Sequence, residues 1–286
     1  MCCVRRASFS RLFRPAERRL RREVPTDNIG FLRHQRSLPE NGGHDCLVPL
    51  PRPPQALAFD VFCTVVDWHG GVAREAAALA ARHGLGGDWP AFANDWRAGY
   101  MPAMDKVRKG ELPWSHIDTL HCMLLEEIID RHGLGSLDEA ERDYLNRAWH
   151  RLPPWPDTVP GLARLKRRFT LTMLSNGNFS LLTTMAKHGG LPWDCIVSAE
   201  LFGHYKPDPE TYLGCARLLD LAPAELMLVA CHPLDLRAAR ANGLRAAYVP
   251  RLLEFEPSTV LPAIVEGEFD LVAGDFEQLA DLLEAP

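Results

Sequence analysis

The stretch ALAFDVFCTVVD, residues 56–67, carries a carboxylate, Asp60, at the end of an apolar run, with Thr64 four residues later. A short, near-continuous apolar run suits a strand buried on both faces of a parallel sheet. Alone, Asp60 would merely cap that strand. Four more runs follow: FTLTMLSN (169–176), DCIVSAE (194–200), LMLVACH (226–232) and RAAYVP (245–250). Between them, VPGLARLKRRF, NFSLLTTMAKHGGL, PETYLGCARLLDLAP and DLRAARANGL place apolar residues three and four apart and end near Gly or Pro, as amphipathic helices do. Strand and helix in alternation predict an α/β protein with a Rossmann-like, doubly wound parallel sheet and right-handed crossovers.

Residues 70 to about 152 break the alternation. GVAREAAALAARHGL, WPAFANDWRAGYM, HIDTLHCMLLEEIIDRHGL and SLDEAERDYLNRAWHRL are helical in pattern, with no convincing strand among them. An all-helical insertion after the first strand should cap the carboxyl ends of the sheet, the edge where open α/β sheets bind ligands. The expected division is a core of 55–69 and 153–286, a helical cap of 70–152, and an N-terminal extension of 1–54 outside the fold.

Composition narrows the ligand. Of 286 residues, 47% are hydrophobic and 24% charged, a globular balance. Residues 1–54 hold 11 Arg and 5 acids, net +6, leaving 21 basic and 32 acidic residues, net −11, in the rest. A mildly acidic body argues against nucleic acid as its main ligand. A long uncharged stretch, TLTMLSNGNFSLLTTMA, is broken by Ser, Asn and Gly, which argues against a membrane span. The basic head has transit-peptide composition, diluted by Glu17, Glu23 and Asp27, and LVPLPRPPQ (47–55) has that of a linker; an organellar leader and a disordered tail both fit. Eight cysteines show no C-x-x-C and no His/Cys cluster at zinc spacing, so the pattern predicts no metal ligands, no cofactor and a reducing, cytoplasmic compartment.

Polar residues mark each strand end: Asp60 after the first, Ser175 and Asn176 after the second, Lys206 beyond the third, and His232 and Asp235 after the fourth. Together, along one rim, they outline a candidate site. Through FDVFCTVVD, WRAGYM, LSNGN, KPDPETY and the Asp of HPLDLRAARANGLRAAYV, residues 55–252 resemble the haloacid dehalogenase superfamily, and within it the L-2-haloacid dehalogenases. That resemblance implies Asp60 as nucleophile and Thr64 and Ser175 holding it and a substrate carboxylate. It places Asn176 and Arg97 toward the halogen, Lys206 as charge partner, and Tyr212 and Asp235 as support for the lysine and the water. Phe62 and His232 are further candidates, from their own positions, to line the substrate pocket.

The implied reaction is hydrolysis of a small 2-haloalkanoic acid to the 2-hydroxy acid with inversion; a homodimer is compatible with it. The alternative is a phosphatase of the same superfamily. Those enzymes usually carry a second acid two residues after the nucleophile and an acid pair after the fourth strand, for Mg²⁺. Here Phe62 holds the first position, and Ala230, Cys231 and His232 precede the single Asp235. Too few oxygen ligands remain for a hard divalent cation. Where the family often has Ser and Asn, this chain has ACHP, so His232 is a candidate to orient or deprotonate the hydrolytic water.

Overall fold

A computed structural model of the chain describes residues 53–251 and 264–284, all within one contact unit. Strands β1 (Ala56–Phe59), β2 (Thr170–Ser175), β3 (Cys195–Ser198), β4 (Leu226–Ala230), β5 (Arg245–Tyr248) and β6 (Leu271–Val272) form one sheet in the order β3-β2-β1-β4-β5-β6. Every pairing is parallel. The five expected strands are present, each ending within a few residues of its apolar run. β6 was not expected: two residues carry no periodic signal.

Side chains alternate across the sheet, and both faces are covered. Leu57, Phe59, Leu171, Met173, Met227 and Val229 enter one buried cluster; Ala56, Ala58, Leu174, Leu226, Leu228 and Ala230 enter the other. Burial on both faces is why these runs are continuously apolar.

Between β1 and β2 the chain is helical: α1 (Trp68–Arg82), α2 (Trp89–Ala98), α3 (Tyr100–Arg108), α4 (Ile117–Ile128) and α5 (Glu139–Asn146), then a 3₁₀ turn over Arg147–Arg151. Local chemistry sets their starts. The Asp67 carboxylate accepts the Gly70 N–H at 2.8 Å, Asp88 accepts that of Ala91 at 2.9 Å, and Asp138 and Glu141 form a capping box; such caps satisfy N–H groups that a helix leaves open. Their apolar stripes meet: Trp68, Val72, Leu79, Phe92, Trp96, Leu120, Leu124 and Trp149 join the cluster on the β1 Phe59 face. The core adds α6 (Thr158–Leu165), α7 (Phe179–Gly189), α8 (Pro209–Leu218), α9 (Pro233–Ala241) and α10 (Phe276–Glu284).

Two side-chain bridges tie the helical layer to the strand-end loops. Asp118 accepts from Asn178 Nδ2 at 2.9 Å and contacts His150 at 3.0 Å. Arg108 pairs with Asp208 at 2.8 Å, just beyond Lys206. The chain order reverses at β1, which lies between β2 and β4, and a crevice at such a switch point is where ligands bind in open α/β sheets. No helix of the described residues is long and apolar enough to cross a membrane. The basic head and most of the proposed linker lie outside the described residues.

Candidate active site

Asp60 follows β1 directly, and its N–H donates to the Val229 carbonyl at 3.0 Å, which extends the ladder one residue and fixes the backbone. The loop behind it is clamped. The Trp155 indole donates to the Cys63 carbonyl, the Arg251 Nε donates to the Thr64 carbonyl at 2.9 Å, and the Thr158 hydroxyl donates to Val65 at 2.9 Å. Arg251 is itself held by Asp157 at 2.8 Å. The Asp60 carboxylate therefore has little freedom, and it is one of few buried charges among the described residues, at 7% exposure.

Its oxygens are shared out. Lys206 Nζ donates to Oδ1 at 2.8 Å, while the Thr64 hydroxyl donates to Oδ2 at 2.8 Å and His232 Nδ1 lies 3.1 Å from the same oxygen. Lys206, also 7% exposed, donates to Asp235 Oδ2 at 2.5 Å, and the Tyr212 hydroxyl donates to Asp235 Oδ1 at 2.6 Å. The Lys206 backbone is set by Asn176, whose Oδ1 accepts its N–H at 2.7 Å. One ammonium thus bridges two carboxylates in a dry setting.

The electrostatics follow from that bridge. Burial pushes the Asp60 carboxyl up, but Lys206 and then His232 outweigh it and hold the group well below the usual carboxylate range. Burial pulls Lys206 down, and Asp235 and Asp60 together raise it above its ordinary value. Burial and Asp235 keep the Tyr212 hydroxyl protonated. Near neutral pH, Asp60 is an anion and Lys206 a cation.

Above this pair lies an aromatic enclosure from the inserted helices. Arg97, in the last turn of α2, lies 4.2 Å from the Tyr100 ring centre, 5.5 Å from Trp68 and 5.8 Å from Phe62. Its Nη1 is buried and has no hydrogen-bond acceptor among the described residues. A buried guanidinium N–H without an acceptor is costly, and an anion in the enclosure would satisfy it. His121 closes one wall, stacked on Trp149 at 4.2 Å; burial and then Arg97 pull it down to about 3, so the ring is neutral.

Asp60, Thr64, Lys206, Asp235, Tyr212, Asn176 and His232 are thus joined by direct contacts, and Phe62 and Arg97 lie in the enclosure next to them. Ser175 differs. Its Oγ accepts the Gly177 N–H at 3.2 Å in the loop after β2 and makes no hydrogen bond to Asp60 among the described residues, which leaves its O–H to donate.

Tyr100, Trp68 and Arg251 escaped the sequence reading. Tyr100 lies within WRAGYM, three residues from Arg97, and could have been found there; the other two carry no signal apart from a core Trp and a loop Arg. Nor did spacing reveal Cys63, Cys231 and His232, whose ligand atoms all lie within 4.8 Å of one another.

The divalent cation that phosphatases of this fold use does not fit here. Lys206 holds Asp60 and Asp235 together as a cation would, and Ala230, Cys231 and His232 add no carboxylate. A hard cation needs more oxygen ligands than this.

A family profile described as haloacid dehalogenase-like hydrolase matches residues 54–243. An (S)-2-haloacid dehalogenase from Xanthobacter autotrophicus is 31% identical over 117 residues, 40% of this chain and 46% of that protein, so this chain aligns with about half of that relative's length. A solved L-2-haloacid dehalogenase is 46% identical, covering 80% of this chain and 99% of its own, with a TM-score of 0.75. A solved defluorinating L-2-haloacid dehalogenase is 44% identical, covering 81% and 96%, with a TM-score of 0.78.

Proposed function

The chain belongs to the haloacid dehalogenase-like hydrolases, and from that membership we propose that it hydrolyses a small 2-haloalkanoic acid to the 2-hydroxy acid, with inversion, through an ester on Asp60. One observation carries the proposal: Asp60 is buried and kept ionised by a single ammonium, with an apolar Phe62 where a phosphatase needs its second acid. A carboxylate stripped of water but held as an anion is a competent nucleophile toward carbon.

Asp60 attacks C2 as the carbon–halogen bond breaks, and the halide leaves toward Arg97, whose buried Nη1 gains the acceptor it lacks. Developing negative charge on the halogen strengthens that contact, so the arginine favours the transition state over the bound acid. Water then attacks Cγ of the Asp60 ester, and His232, 3.1 Å from Oδ2, takes its proton. The bond from Cγ to the product oxygen then breaks, that oxygen takes the second proton of the water, Asp60 returns as a free carboxylate, and His232 gives its proton to solvent as the 2-hydroxy acid departs.

Halide release from a panel of 2-halo acids, beside phosphate release from a panel of phosphate esters, tests the proposal. Halide release is expected to proceed at an undiminished rate in EDTA, with negligible turnover of phosphate esters. Mg²⁺-dependent phosphate release at ordinary enzyme rates, without halide release, would overturn it.

Arg97 gives a second expected result. Lysine keeps the charge but loses the planar fork and its stacking on Tyr100, so Arg97→Lys should lower kcat by about 10²-fold or more, the loss typical of removing one charge-stabilising donor. KM should change far less. A variant with wild-type kcat and only a raised KM would make Arg97 a ground-state binding group.

A further inference from the structure

Next to the nucleophile stands a donor set that the proposed reaction does not use as a set. Cys63 lies three residues after Asp60, with its backbone at a φ of 72° and its carbonyl held by the Trp155 indole. Cys231 follows β4, and its N–H donates to the Thr64 hydroxyl at 3.0 Å. Both thiols are thus presented by fixed backbones and meet the His232 ring. We propose that Cys63, Cys231 and His232, with Asp60 as fourth donor, form an inhibitory site for a soft divalent cation of the zinc and cadmium class.

The distances suit it. Cys231 Sγ lies 3.6 Å from His232 Nδ1 and 3.7 Å from Nε2. Zinc bonds of about 2.3 Å to sulfur and about 2.0 Å to nitrogen, set tetrahedrally, separate those donors by about 3.6 Å. Asp60 Oδ2 is 3.1 Å from His232 Nδ1, close enough to complete a fourth corner. A small side-chain movement would bring Cys63 Sγ, now within 4.8 Å of the Cys231 and His232 ligand atoms, to a similar edge length.

Donor chemistry selects the cation. Two thiolates and an imidazole favour soft and borderline metals, and the one carboxylate oxygen is a poor offer to magnesium or calcium. On binding, each thiol gives its proton to solvent, so two new negative charges balance the dication and Lys206 keeps its bond to Oδ1. The His232 side chain, 34% exposed, provides the entrance; Cys231 and Cys63 lie behind it. A cation there engages Asp60 and His232 at once. Cation and substrate must then exclude each other.

The test uses the full chain and cadmium chloride, with the ultraviolet cadmium–thiolate charge-transfer band as a readout independent of activity. One equivalent of cadmium should raise the band and suppress halide release at least tenfold; EDTA should reverse both, and a 2-halo acid should slow both. Zinc chloride should compete for the band, while magnesium chloride should not. Cys231→Ala and, separately, Cys63→Ala should each weaken inhibition at least tenfold relative to that variant's own uninhibited rate, and reduce the band by one site's worth. If either alanine variant fails to fold, the serine variant of the same residue, which keeps the volume, replaces it. Inhibition and band unchanged in both variants would place the metal on other cysteines and overturn the proposal. Absence of halide release from every substrate would sink the dehalogenase reading alone, since the band and its competition still report the site.

Discussion

Asp60→Asn should lower halide release by at least about 10³-fold, the scale seen when a covalent nucleophile is removed and only binding and charge stabilisation remain. The amide is nearly isosteric with the carboxylate and leaves Lys206 its bond to Asp235, so the variant should stay folded. Isotope placement then separates covalent catalysis from base catalysis. With enzyme in excess and a single turnover in H₂¹⁸O, water that attacks the Asp60 ester at Cγ leaves its oxygen on the aspartate, and the hydroxy acid carries the original Asp60 oxygen. Label should appear in the peptide containing Asp60, and the product of the first cycle should be unlabelled. Label directly in the product, with substantial activity left in Asp60→Asn, would make water the nucleophile and Asp60 at most its base.

Much of this arrangement is legible in the sequence, for a physical reason. A strand buried on both faces has no polar side, so the first polar residue after its apolar run marks where the chain leaves the sheet. Asp60, Ser175 with Asn176, and His232 stand out in this way, and parallel pairing brings such ends to one rim. The roles of the first three came from resemblance; an apolar run ending in Asp does not by itself distinguish a nucleophile from a cap.

What could not be read depends on contacts across long separations. Arg251 acts by bonding the Thr64 carbonyl from the far end of β5, and Cys63 meets Cys231 and His232 only because β1 pairs with β4. Ser175 shows the converse limit. Its position at a strand end was legible, but the direction of its hydroxyl, toward Gly177 N, depends on the turn that follows.

Lys206→Met should cost both activity and stability, and the two losses should run oppositely with pH. In the native site Asp60 titrates below its ordinary 3.8 and Lys206 above its ordinary 10.5. The aspartate's contribution to stability is therefore present above about pH 4 and lost only as pH falls through its lower folded value. That of the lysine is present below about pH 10 and lost as pH rises through its higher folded value. Between those limits the cluster's contribution is flat. Methionine fills the space of the stem but leaves Asp60 and Asp235 buried without their shared cation, and breaking a buried pair in this way costs about 3–5 kcal/mol. Burial and mutual repulsion then raise the Asp60 carboxyl, so the variant should become more stable as pH falls toward the carboxylate range, measured as a rising Tm. Its residual halide release, down at least about 10³-fold at neutral pH, should increase as pH rises and Asp60 ionises, while the wild type shows no acid limb from Asp60 in that range. Stability and residual rate moving together with pH, or a near-normal rate at neutral pH, would mean that Lys206 does not set the charge on Asp60.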